Sequence, residues 1–125
     1  MYRIEYDADA AILNVVLVGF WTAEKTQRFA GEVAAELGAL RRQGLRFGVL
    51  ADAREFAVQA RDVIDGLMRV INASDQKDRA PTAIIVGTAL GKMQAERTLT
   101  APHVHIVSDR DDAVAWLKDR LRDQR

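Results

Sequence analysis

Three short stretches of this chain are apolar on both alternating faces, and they constrain its fold more than any other feature. Ala11 to Val18 reads Ala-Ile-Leu-Asn-Val-Val-Leu-Val, Phe47 to Ala51 reads Phe-Gly-Val-Leu-Ala, and Thr82 to Val86 reads Thr-Ala-Ile-Ile-Val. A strand with one wet face alternates apolar and polar residues. A β-branched run without that alternation needs cover on both sides, which is the situation of a parallel strand between helical layers. Gly19 ends the first run, and Pro81 and Gly87 bracket the third. Each is a residue that strand interiors avoid.

The segments between these runs carry the helical period. Thr22 is placed to cap a helix with Glu24 in its first turn, and Phe29, Ala30, Val33, Leu37 and Leu40 recur on one face as far as about Gln43. Gly44 suits the left-handed residue that closes such a helix. The next strand then ends at Asp52. Val63, Ile64, Leu67, Met68 and Ile71 mark a second helix from about Val58 to Asp75, with Gly66 inside it at a cost of about 1 kcal/mol relative to Ala. Leu90 to Leu99 reads as a short third helix and Val104 to Val107, behind Pro102, as a last strand. Asp109, Asp111 and Asp112 crowd the start of a final helix whose core face is Val114, Leu117 and Leu121.

At the other end, Tyr2 to Tyr6 alternates with the two-residue period of a half-buried strand, and Asp7 to Ala10 supplies turn formers before the first apolar run. This predicts a hairpin. The whole order predicts an α/β fold: a mostly parallel five-stranded sheet with an N-terminal hairpin strand, four helices, right-handed crossovers and helical cover on both faces. Residues 1–125 form one domain with no repeat or linker.

Composition removes several function classes. Eighteen Lys plus Arg balance eighteen Asp plus Glu, so the net field attracts neither nucleic acid nor anionic lipid. Zero cysteines remove thiolate nucleophiles, disulfides and Cys-based metal sites. The run from Ala10 to Trp21 is too short for a membrane helix, and the charged residues before it lack a signal-peptide layout. The expectation is a cytoplasmic protein without cofactor.

The local pieces Gly19-Phe20-Trp21-Thr22-Ala23-Glu24, Leu50-Ala51-Asp52-Ala53-Arg54-Glu55-Phe56 and Asp112-Ala113-Val114-Ala115-Trp116-Leu117, taken with the element order, resemble the SpoIIAA-like (STAS-like) group. That group has the anti-sigma-factor antagonist fold, and the resemblance spans the chain. It implies a bacterial regulatory module, with a lipid-binding-like branch among its relations. It also implies a phosphorylatable Ser or Thr in an Asp-Ser-Ser-Gly-like turn at the start of the second helix. This chain departs there, because the matching stretch is Phe56-Ala57-Val58-Gln59-Ala60 and the nearest hydroxyls, such as Ser74, lie too far along.

Few residues suggest chemistry. Asp52 at a strand end, with Arg54 beside it and Thr88 and Lys92 after the next strand, forms the polar set best placed at a cleft mouth. Asp52, Thr88 and Lys92 are similar to a phospho-accepting receiver. A receiver's acidic pair is replaced here by Gly19-Phe20-Trp21, which leaves no magnesium site. Gly87-Thr88-Ala89-Leu90-Gly91-Lys92 approaches a phosphate loop, but its glycines are one residue too close and Met93 stands where a hydroxyl is required. His103 and His105 would share one strand face beneath the final helix, without a third metal ligand in view. Trp21, Trp116 and Phe56 read as packing residues before pocket residues. The basic spots Arg41, Arg42, Arg46 and Lys118, Arg120, Arg122, Arg125 read as solvated surface, the second being interleaved with Asp119 and Asp123.

These observations predict a non-enzymatic regulatory or binding module. It would pair with itself as a homodimer or with another protein, or hold a small apolar ligand between helix and sheet. Nucleic acid and membrane insertion are not expected. The alternative is a small enzyme, or an anion- or lipid-binding domain, with its site at the strand carboxyl ends around Asp52, Arg54, Thr88 and Lys92.

Overall fold

The computed structural model describes residues 1–72, 80–99 and 101–123. Its elements run β1 (Tyr2–Asp7), β2 (Ile12–Gly19), α1 (Ala23–Arg42), β3 (Gly48–Phe56), α2 (Arg61–Ile71), β4 (Thr82–Val86), α3 (Ala89–Thr98), β5 (Val104–Val107) and α4 (Arg110–Asp123). The five strands lie side by side in chain order. β1 is antiparallel to β2 and every later neighbour is parallel, so the sheet is mixed, with the hairpin strand at one edge.

Right-handed crossovers that always step in one direction put their helices on one face. Accordingly Phe29, Val33 and Leu40 of α1, Val63 and Leu67 of α2, and Ala95 of α3 share a core with Leu13, Val15, Ile84 and Val86. α4 follows the last strand and covers the opposite face, where Ala113 and Leu117 meet Ile12, Leu50, Ala83, Ile85 and Val107. β2, β3 and β4 therefore bury residues on both faces, which explains their unbroken apolar runs.

Local signals operate as the sequence suggests. The Thr22 hydroxyl accepts from the amide of Lys25 at 3.1 Å, capping α1, and Gly44 takes φ +69° just beyond its end. Gly66 has a tertiary reason to interrupt α2: a Cβ there would lie 2.7 Å from Cγ2 of the buried Thr26, so the glycine lets α2 cross close to α1.

Two boundaries differ from expectation. β3 continues to Phe56 instead of ending at Asp52, because Val18 and Gly19 of β2 still pair with Glu55 and Phe56 beyond a register shift. That end of β3 pairs with β2 alone, since β4 stops opposite Ala53, so polar residues are tolerated in the extension. α2 begins at Arg61, after an extended Ala60, rather than near Val58. The expected continuation of α2 through Ser74 to Asp75 lies outside the described residues.

Gly87 and Gly31 offer a contrast of sign. A Cβ on Gly87 would lie 2.4 Å from the carbonyl oxygen of Arg54, whereas one on exposed, helical Gly31 would meet nothing. In urea denaturation, Gly87→Ala is expected to destabilise the protein and Gly31→Ala to stabilise it by about 1 kcal/mol.

Candidate functional site

The loops at the carboxyl ends of β2 and β3 and the first turns of α3 meet at one rim of the sheet, and a buried amide ties them together. Gln59 lies on the β3–α2 loop and is 6% exposed. Its Oε1 accepts from the Trp21 amide at 2.8 Å, while its Nε2 donates to the Gly19 carbonyl at 2.9 Å and to the Ala57 carbonyl. The backbone of Gln59 is held in turn by Gln94 of α3, whose Oε1 accepts from the Gln59 amide at 3.2 Å and whose Nε2 donates to its carbonyl at 3.1 Å. Only a carboxamide supplies an acceptor and two donors on one short arm.

This clamp seats Trp21, which is 1% exposed. Its ring centroid lies 5.6 Å from that of Tyr2, 5.1 Å from Phe29 and 5.0 Å from Phe56, and its indole N–H donates to the Val18 carbonyl. Trp21 and Phe56 are therefore packing residues.

Several large apolar side chains are exposed near the clamp. Of the six exposed large apolar side chains among the described residues, four stand here: Phe20 at 66%, Val58 at 41%, Leu90 at 62% and Met93 at 49%. Phe20 and Val58 adjoin the clamped Trp21 and Gln59. Leu90 and Met93 lie one turn and one residue before Gln94 on α3.

The four expected site residues fall into two pairs. Asp52 and Arg54 lie within β3 and form a bidentate ion pair, with Nε to Oδ1 at 2.9 Å and Nη2 to Oδ2 at 2.7 Å. The Arg54 hydrogen bond is the main reason that the Asp52 carboxyl titrates below its ordinary range, with the Arg110 charge adding to it. Thr88 caps α3, its hydroxyl accepting from the Gly91 amide at 2.9 Å, and Lys92 lies 4.0 Å from Glu96. Among the described residues no hydrogen bond or ion pair joins the two pairs.

His103 and His105 do not share a face under α4. His103 sits in the turn before β5, where strand alternation does not apply, and its Nε2 lies 3.1 Å from the Ile71 carbonyl on the α2 side. His105 is inside β5 and stacks on Trp116 of α4 at 5.0 Å, with Arg120 over the same indole at 5.1 Å. Among the described residues no group of three potential metal ligands occurs, and no helix is long and apolar enough to cross a membrane.

A second feature lies under α1 and α2. A cavity of about 120 Å³ opens between these helices and the sheet, above Ala51 and Ala53 of β3. The flanking strands present Val15 and Leu17 on one side and Ile84 on the other, so the middle strand is too small to fill the layer. Sequence reasoning gave Gln59 no role, and it placed an apolar ligand between helix and sheet without naming the residues that leave space there. The alternate alanines of Leu-Ala-Asp-Ala were the legible sign of that space.

No protein-family model matches the chain, and no curated protein matches its sequence. Solved structures do match. A variant of RsbS from Moorella thermoacetica superposes with a TM-score of 0.70 at 13% identity, over 96% of this chain and 97% of that one. An uncharacterised DUF3478 protein with a SpoIIAA-like fold, from Shewanella loihica PV-4, superposes with a TM-score of 0.66 at 19% identity, over 94% and 92% of the two chains. This chain has a SpoIIAA-like fold. In the SpoIIAA-like arrangement seen here, the β3–α2 loop carries Gln59 as an internal clamp, its side chain turned into the protein.

Two outcomes follow from these contacts. Gln59→Leu keeps the volume but strands the Trp21 amide and the Gly19 carbonyl, and is expected to lower stability by about 2 kcal/mol or more in denaturant titration. Because its folded pKa is depressed, Asp52 contributes stability that is complete above its ordinary pKa and is lost as pH falls through the folded value. Asp52→Asn should therefore flatten the acid limb of a stability–pH curve and leave the alkaline limb unchanged.

Proposed function

We propose that this chain is a non-enzymatic regulatory module that acts through protein contact, and that its rim of Phe20, Val58, Leu90 and Met93 docks a second copy of itself. The observation that carries the reading is the gathering of four exposed large apolar side chains, two on loops held by the Gln59 amide and two on α3, which Gln94 ties to the Gln59 backbone. Contiguous exposed apolar surface on a water-facing protein marks an interaction site, and Phe and Met are enriched in interface cores.

Charge favours a second copy as the occupant. A two-fold interface brings identical residues near one another, so its charges must cancel locally. Both ion pairs flanking the rim cancel internally, Asp52 with Arg54 and Lys92 with Glu96. The chain as a whole is also neutral.

Light scattering after size exclusion should give a dimer mass for the wild type and a monomer mass for Leu90→Glu. Leu45→Glu, which alters an exposed apolar residue on the α1–β3 connection, should remain dimeric. A monomeric wild type across the concentration range, or dissociation by both variants alike, contradicts the proposal.

A second reading makes Asp52, Arg54, Thr88 and Lys92 an anion- or substrate-binding set. It is favoured by two half-exposed cations, Arg54 and Lys92, near the same end of the sheet. A panel of phosphate, ester and thioester substrates separates the two. The proposal expects no turnover, and steady turnover lost in Asp52→Ala would overturn its non-enzymatic part.

A further inference from the structure

The cavity beneath α1 and α2 is independent of the rim. One end is closed by the buried residues Val15, Phe29, Val33 and Leu67. The other end is bounded by half-buried Arg41, Val70, Ile71 and His103, near the amino ends of the strands. Protein interiors hold few voids larger than a water molecule, and an unfilled apolar void weakens a fold. Water fills such a space poorly, because an ordered water needs two to four polar partners. Among the described lining residues only Arg41, Thr82 and His103 carry polar side chains, all at the strand amino ends. Those three are already engaged. The Thr82 hydroxyl donates to the Ala80 carbonyl at 3.0 Å, His103 Nε2 lies 3.1 Å from the Ile71 carbonyl, and Arg41 has a partner of its own.

Size narrows the occupant. At about 120 Å³ the cavity is slightly smaller than the engineered cavity of about 150 Å³ that admits benzene, and far below the roughly 300–1,000 Å³ of sites for drug-sized ligands. A single ring or a short alkyl chain fits inside; a diacyl lipid does not. Charge narrows it further. A charged group brought into an apolar site loses its hydration and must be paired to recover the cost. Here the side chains that could pair with it already hold partners, so it would have to displace a standing interaction. A neutral molecule meets no such demand, and it gains from leaving water in proportion to its apolar area.

We infer that this cavity binds an uncharged apolar molecule no larger than one substituted ring or a short alkyl chain, seated over Ala51 and Ala53, and discriminates against charged molecules of the same size. The two alanines make the site, because each faces the space between taller neighbours on β2 and β4. So few ligand atoms give modest affinity, in roughly the high micromolar to millimolar range.

The test is a titration of the full chain with toluene and, separately, with benzoate at neutral pH, followed by methyl NMR. Toluene should shift the methyls of Val15, Val33 and Leu67 saturably and leave those of Val107 and Leu117, in the core under α4, unmoved. Benzoate, which has the same ring with a charge added, should bind about tenfold more weakly or worse. Ala51→Leu, or the smaller Ala53→Val if the first fails to fold, should abolish the toluene shifts. The inference is overturned if toluene does not saturate the three methyls, if it moves both cores alike, if benzoate binds as well as toluene, or if toluene binding survives in a folded cavity-filled variant.

Discussion

The side-chain amide of Gln59 is the interaction on which the rim at the strand carboxyl ends depends. It bonds backbone groups of Gly19, Trp21 and Ala57, which would otherwise be left to water or to one another, while the Gln94 side chain of α3 bonds the amide and carbonyl of Gln59 itself. Closing loops from separate crossovers is entropically unfavourable unless specific bonds offset it. Gln59 supplies those bonds from inside the protein. The consequence is a rim whose apolar residues stand at fixed positions, so that the proposed contact would cost little further ordering.

The sheet explains why the rim and the cavity lie where they do. Three crossovers in one direction place three helices on one face and leave α4 to cover the other. On the crowded face the layer thickness is set by Val15, Leu17 and Ile84, while β3 between them offers only Ala51 and Ala53. Helices are rigid and cannot bend down to meet a low middle strand, so space remains beneath them. The same strand ends in polar residues because its extension pairs with β2 alone, which puts Asp52 and Arg54 in a position to satisfy each other.

Much of the architecture was legible from local rules. Two-sided apolar runs required buried parallel strands, Thr22 and Gly44 delimited α1, and the alternating Tyr2 to Tyr6 gave the edge strand. What was not legible depended on contacts between distant segments. Asp-Ala-Arg-Glu reads as a loop until β2 is laid beside it. His103 reads as a strand residue until the turn at Pro102 and His103 is seen. Gln59 is an unremarkable glutamine in sequence, since nothing local shows that Trp21 and Gly19 will meet it. The exposed Phe20, Val58, Leu90 and Met93 are likewise scattered along the chain, and only the fold gathers them.

The gathered rim of Phe20, Val58, Leu90 and Met93 is the surface proposed for contact. Hydrogen–deuterium exchange of the wild-type chain, compared between high and low protein concentration, tests it most directly. Concentration-dependent protection confined to the segments around Phe20, Val58 and Leu90 to Met93 is expected. Protection on the outer faces of α1 or α4 instead, or none at any concentration, would contradict it.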